Sequence, residues 1–443
     1  MRDLFRNADF ARLFAGRLVT NAGDSLYAVA AMWLVYSLSG STFYTGLAGF
    51  LTMGPQALQV FVGPLVDRWP VRSVLVSTQA LQGVLVLVIP LAAWLGVLSV
   101  PLVLVVMPAV ALLNQFVYPA QTAVLPRLVE REQLTAANSA LSFAYQGTDM
   151  VFNGLAGLLV AAIGATALYL VDSVTFAAAV ALFVGLHIPP AENPDDDAGA
   201  DAADPDGGQS GYVTDLRAGF SFVRGTVLVW MFGTGIVANA LLGATIAVLP
   251  AFAAARGGPG TYGLLMAGVS AGILVGALSA PRFDGVPFGR LSIGAFAAGA
   301  VAWFAALAAP STTATVVVFS LAFVPIGVTN VVAAAMMQRL VPESLLGRVT
   351  ALIGSASTAI MPLGSLLGGA AGDAFGAPAV MVAGGLGMLW IVVYVAAIPA
   401  LRTLPPAVEA ETLGPAGSTP DAGAEEPTGP ADADANGETA GAD

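Results

Sequence analysis

Three carboxylates, Asp24, Asp149 and Asp172, stand well inside long apolar stretches of this 443-residue chain. An ionisable side chain in such surroundings is costly to keep, so each is a candidate for chemistry: binding a proton, pairing with a buried cation, or contacting a polar ligand. Asp24 lies two helical turns after Arg17 with Asn21 between them, a polar stripe along one helix face. Tyr145, Asp149 and Asn153 repeat at four-residue spacing and share a face in the same way, forming a proton site, a ligand contact or a hydrogen-bonded helix interface. Asp172 reads as a structural acid that caps or pairs between helices.

Weaker polar candidates accompany them. Asn114, Gln115, Tyr118, Gln121, Asn239 and Asn330 can line a cavity or join helices, with Trp33, Tyr36 and Phe116 adding apolar contact. The single histidine, His187, falls at the end of an apolar stretch with no metal-ligand cluster around it. Cysteine is absent, which removes thiolate metal sites and disulfides. No Gly-Lys-Ser/Thr loop is present to cradle a nucleotide phosphate, so ATP is not the expected energy source. No nucleophile and base pair is apparent on the apolar stretches, and the chain does not read as an enzyme. No cofactor and no nucleic-acid partner is expected.

The elements that must hold these groups are transmembrane helices. The chain is 57% hydrophobic and 10% charged, with mean hydropathy +0.82. It parses into twelve apolar segments of spanning length, 14–38, 42–66, 73–97, 101–124, 136–162, 165–187, 226–252, 260–281, 288–309, 313–336, 349–371 and 376–400. Backbone groups in lipid must be satisfied internally, so these should be α-helices. The first is too long for a cleavable signal peptide and carries Arg17 and Asp24.

Charge orders the segments. All 16 basic residues are arginine, and 14 of them precede the first span, follow the last, or fall in even-numbered connections. The positive-inside rule then places both termini and the central linker in the cytoplasm of a multi-pass protein of the cell membrane. The formal charge of -12 is carried by two acidic stretches, 188–212 and 404–443, which hold 16 of the 28 acids and leave the body near +4. Both stretches are rich in Ala, Gly and Pro and are expected to be disordered. The expected organisation is a six-helix bundle over 1–187, a linker over 188–212, a second bundle over 213–403, and a tail from 404. Residues 213–224 have apolar and basic faces suited to the membrane surface.

A shift of 212 residues aligns Arg127-Leu128-Val129 with Arg339-Leu340-Val341, then Leu134 with Leu346, Gly157 with Gly369, Gly164 with Gly376, Ala165 with Ala377 and Ala167 with Ala379. One six-helix unit thus occurs twice, an arrangement in which two halves rock about a central site.

Family motifs point the same way. Gly63-Pro64-Leu65-Val66-Asp67-Arg68-Trp69-Pro70-Val71-Arg72 resembles the signature loop between the second and third helices of the major facilitator superfamily. Tyr118-Pro119-Ala120, Leu125-Pro126-Arg127-Leu128-Val129, Val171-Asp172-Ser173-Val174-Thr175-Phe176, Pro342-Glu343 and Gly347-Arg348-Val349 resemble its macrolide-efflux and enterobactin-exporter branch. The resemblance covers about residues 4–403 and departs at Phe152-Asn153-Gly154-Leu155-Ala156-Gly157, where the family's antiporter motif has a Gly-Pro pair. It implies an all-α fold of two pseudo-symmetric six-helix bundles and proton-coupled efflux of an amphipathic or hydrophobic compound by a monomer. Gly63, Asp67, Arg68 and Arg72 would form a gate whose pairs exist in one conformation. Uptake of a polar metabolite would call for more polar cavity residues, and a transport-dead sensor would use the acidic tail for partners.

Overall fold

The first helix shows how local sequence starts and stops these elements. Asn7 precedes it, and its side-chain oxygen accepts from the backbone N–H groups of Asp9 (3.0 Å) and Phe10 (3.1 Å). Helix α1 then runs Ala8–Ser39 and stops at Gly40, whose φ of 65° closes the last turn onto the Tyr36 carbonyl. The computed structural model describes residues 4–58, 62, 69–189, 220–224 and 226–410. The helices that follow are α2 (Thr42–Met53), α3 (Val71–Trp94), α4 (Val100–Asn114), α5 (Val117–Leu128), α6 (Leu134–Ile163) and α7 (Ala165–Val184). The second half supplies α8 (Leu228–Ala254), α9 (Pro259–Ser279), α10 (Phe288–Ala308), α11 (Thr312–Leu340), α12 (Glu343–Phe375) and α13 (Ala377–Ala397).

Among the described residues ten helical segments are long and apolar enough to cross a membrane, with α4 and α5 counted as one. The second and eleventh expected spans are helical where described, as α2 and α12, but are not among the ten. The expected fourth span is interrupted between Asn114 and Val117. Pro119 explains the break: it offers no N–H to the Gln115 carbonyl four residues back, and its ring crowds that carbonyl.

The 212-residue repeat is legible in the backbone. Helix α6 ends at Ile163 and α12 at Phe375; Gly164 and Gly376 follow with φ of 85° and 87°; α7 and α13 then start at Ala165 and Ala377. Only glycine adopts that φ without strain, so the repeated glycine sets the same reversal in both halves.

Within the first half α1 packs on α6 and α7, and α3 on α7; within the second, α9 and α10 pack on α11, while α8 packs on α12 and α13. The halves meet through α2 on α12 and α6 on α9. These contacts lie at the end remote from the chain termini. There a side chain at Gly157 would come within 1.6 Å of the Gly263 Cα, and one at Gly46 within 2.8 Å of the Gly369 Cα, so the backbones touch. Among the described residues three hydrogen bonds join the halves, all at this end: Ser41 to Asp373 (2.9 Å), Thr42 to the Gly369 carbonyl (2.9 Å) and Ser365 to the Gly46 carbonyl (3.2 Å). Trp33 stacks on Tyr262 in the same layer, 5.8 Å between ring centres.

The apolar cores repeat this asymmetry. A single core containing Leu34, Val106, Val160, Phe252 and Tyr262 runs through both halves at the remote end. At the terminal end the cores are separate, one around Phe10, Leu75 and Phe183, the other around Leu228, Met336 and Leu401. Among the described residues the two halves are therefore sealed at one end and have separate cores toward the end where the arginines gather.

The expected boundaries need one correction. Residues 404–410, assigned to the tail, are packed on the second half, because Leu404 and Ala407 bury apolar surface there. The Arg339 guanidinium donates to the Val408 carbonyl (2.7 Å) and the Phe288 N–H to the Pro405 carbonyl (3.2 Å). Most of the linker and the tail from 411 lie outside the described residues, as does most of the expected amphipathic segment, which is helical over 220–224.

Candidate functional site

Arg17 is the largest fully buried side chain among the described residues, 1% exposed in the first third of α1. Its guanidinium donates to Asn21 Oδ1 (3.0 Å), to the Tyr145 hydroxyl (2.5 Å) and, at 3.4 Å, to Thr20 Oγ1. It also lies 4.7 Å from the centre of the Tyr145 ring, a cation–π geometry. None of these partners is a carboxylate, so the neutralising charge must come from acids a little further away. Asp24 is such an acid; it stands near both Arg17 and Asp149 and makes no hydrogen bond or ion pair among the described residues.

The site joins three helices. Asn21 Nδ2 donates to the Ala144 carbonyl on α6 (3.1 Å), and Tyr145 donates to Gln121 Oε1 on α5 (3.3 Å). Tyr118 of α5, exposed, meets the Tyr145 ring edge-on at 6.5 Å. The Ser25 hydroxyl sits 2.5 Å from Asp149 Oδ1 and 2.8 Å from the Asn21 carbonyl. It can donate to an ionised Asp149. Once Asp149 is protonated, the carboxyl donates to Ser25 and the hydroxyl turns to the Asn21 carbonyl, so both charge states are satisfied. Asp149 is exposed although it lies mid-helix. Helix α6 meets α1 along one side and α9 of the other half through Gly154 and Gly157, so this stretch borders the space between the halves.

The expected stripes Arg17, Asn21, Asp24 and Tyr145, Asp149 thus converge in one network. Asn153 is half-buried and makes no hydrogen bond among the described residues. Gln115 donates to the Ala111 carbonyl in its own helix (2.9 Å), and Asn114, beside it, stands at the α4–α5 break. Asn239 and Asn330 lie in the second half, away from this network, on a shared cavity of about 240 Å³. Asp172 is fully buried on α7, with Oδ1 accepting from Thr175 (3.2 Å), and it packs where a side chain at Gly23 would otherwise fall, 2.3 Å from Oδ1. His187 projects outward, with its backbone N–H on Asp9 Oδ1 (3.1 Å). Trp33 belongs to the seal, and Phe116 stacks on Trp69.

Gly63, Asp67 and Arg68 lie outside the described residues. Arg72 is described, and its guanidinium donates to the Val184 carbonyl within the same half. Thr20, Ser25 and the closing role of Gln121 were not anticipated as parts of the site. Ser25 continues the four-residue stripe 17, 21, 25, so extending the periodicity by one turn finds it; the Gln121 contact depends on how α5 leaves its kink.

The model of the Major Facilitator Superfamily matches residues 13–360. The multidrug efflux pump Tap of Mycobacterium tuberculosis (strain ATCC 25618 / H37Rv) is 28% identical over 434 residues, covering 94% of this chain and 100% of the relative. An MFS-type transporter of Bacillus subtilis (strain 168) is 24% identical over 386 residues, covering 85% and 89%. Among solved structures, a bacterial homologue of the human lysosomal transporter Spinster superposes with a TM-score of 0.64 at 15% identity, covering 90% of this chain and 96% of that one. The nucleoside transporter NupG gives 0.65 at 10% identity over 88% and 99%. At such identities the structural likeness speaks for the fold alone.

Proposed function

The chain belongs to the Major Facilitator Superfamily, and we propose that it is a secondary active transporter that exports a small amphipathic or hydrophobic compound in exchange for protons. Relatives named as multidrug efflux pumps support the direction and the substrate class. The charge pattern supports a cell-membrane protein with both termini in the cytoplasm, so the end with separate cores would face inward. The protein would act as a monomer without a cofactor, drawing on an ion gradient.

One observation carries the reading: a buried arginine held by neutral partners, with Asp24 in its field and Asp149 close to Asp24, bordering the space between halves that, among the described residues, share hydrogen bonds at one end. A ligand or proton shifts a conformational equilibrium only by interacting differently with the two states. Protonating Asp24, or Asp149 near it, changes the net charge of this network and so changes the cost of closing apolar helices around it. Ser25, able to serve either state of Asp149, keeps the polar groups satisfied while the proton comes and goes. Alternation then consists of opening the Gly157–Gly263 and Gly46–Gly369 contacts as the arginine-rich end closes.

The test uses everted membrane vesicles, a panel of fluorescent amphipathic drugs and an imposed proton gradient. Accumulation that collapses with a protonophore is expected for at least one compound. Gradient-independent behaviour across the panel, or accumulation only on gradient reversal, would refute proton-driven export.

A further inference from the structure

The second half contains a crevice that the charged network does not use. Its outer part, about 240 Å³, lies between α8, α10, α11 and α13 toward the arginine-rich end. Ala238, Phe296 and Ile391 border it and also border a narrower apolar recess deeper in the bundle. Leu241, Trp303, Phe323 and Met388 line that recess. The Trp303 indole is fixed by donation to the Met381 carbonyl (2.7 Å), and Gly384 leaves room for it, since a side chain there would lie 2.7 Å from the ring.

Thr245 is the one hydroxyl-bearing residue that lines the recess, and most polar groups gather in the outer part. Asn239 donates one amide N–H to the Gly235 carbonyl (2.9 Å) and lines the crevice, with its second N–H and its carbonyl oxygen left over. Thr329 donates to the Pro325 carbonyl (2.9 Å) in its own helix. Ser292, 4% exposed, lines the cavity with no hydrogen-bond partner among the described residues. No charged side chain lines either part. The Ser292 hydroxyl is thus free to bond to whatever occupies the crevice.

We propose that this crevice, inside the second half rather than between the halves, holds the apolar ring system of a neutral amphipathic substrate, with a carbonyl or hydroxyl of that substrate bonded to Ser292 and Asn239. The proposal rests on the export reading. The absence of charge disfavours a cation or anion here, because nothing replaces its lost hydration. The volume is just under the roughly 300–1,000 Å³ of pockets that enclose drug-sized ligands, which fits a two-ring group or the ring end of a larger molecule. Aromatic and aliphatic walls with few convergent polar groups are the usual make-up of such a site.

The experiment uses the purified full-length chain and a neutral naphthyl ketone bearing a diazirine, with labelled peptides mapped by mass spectrometry and no gradient applied. Saturable labelling of α8, α10 or α13, competed by the unlabelled ketone, is expected. Ala238→Phe, at the junction of the two parts, should weaken it at least about tenfold, and Ser292→Ala about fivefold. Saturable labelling confined to α1 and α6, or none, overturns the proposal, as does unchanged labelling in an Ala238→Phe protein of wild-type melting temperature. Should that variant fold poorly, the wild-type map alone decides. Crevice labelling without gradient-driven movement in vesicles would sink export and leave the site standing; the converse would do the reverse.

Discussion

Gly157→Ala tests the seal between the halves directly. A Cβ at this position would lie 1.6 Å from the Gly263 Cα, whereas non-bonded carbons settle at about 3.5–4.0 Å. The helices α6 and α9 must therefore separate by roughly 2 Å, and α9 offers backbone there, not a side chain that can swing away. Overpacking of this kind costs about 1–3 kcal/mol. The gain in helix propensity from Gly to Ala, about 0.5–1 kcal/mol, is common to both conformations and cancels between them. The sealed state should thus lose roughly 5- to 150-fold in population relative to the state open at that end. Because the chain has no cysteine, a single Ser365→Cys reports on the matter without background. Ser365 is fully buried in the other arm of the seal, bonded to the Gly46 carbonyl (3.2 Å). A membrane-impermeant maleimide added outside the cell should label Cys at this site slowly alone and at least about fivefold faster with Gly157→Ala. Unchanged labelling in a folded double variant would show that the glycine contact does not govern opening.

Asp149→Asn should remove proton-driven accumulation in everted vesicles while leaving gradient-free exchange of the same compound measurable; retention of the driven component would take Asp149 out of coupling. Tyr145→Phe deletes a bond to a charged partner, and loss of about 1.5–3 kcal/mol should appear as a lower melting temperature in detergent and a weaker Arg17 site. Ser25→Ala leaves protonated Asp149 without its acceptor, so driven transport should fall further than stability does, measured as turnover against melting temperature on one preparation. Asp67→Asn is expected to slow turnover more than it lowers expression, compared by transport rate per immunoblotted protein.

The sequence by itself determined the helical class, the doubling and the polar inventory, since each follows from local rules. Apolar length sets a span, arginine placement sets its direction, and the 212-residue repeat carried Gly164 and Gly376 to matched helix ends. The stripe Arg17, Asn21, Asp24 was legible because helical period puts those positions on one face. Which face of which neighbour receives the stripe was not. That α6 brings Tyr145 to Arg17, that Gln121 completes the chain of bonds after a proline break, and that Asn239 and Asn330 share a separate cavity are products of packing between segments distant in sequence. The repeat aligned Gly157 with Gly369, yet only the folded chain shows both as points where the halves touch, against Gly263 and Gly46. In lipid an apolar surface gains nothing by burial against another, so the partner of each helix is decided by small-residue fit and hydrogen bonds, which exist only once the backbones have met.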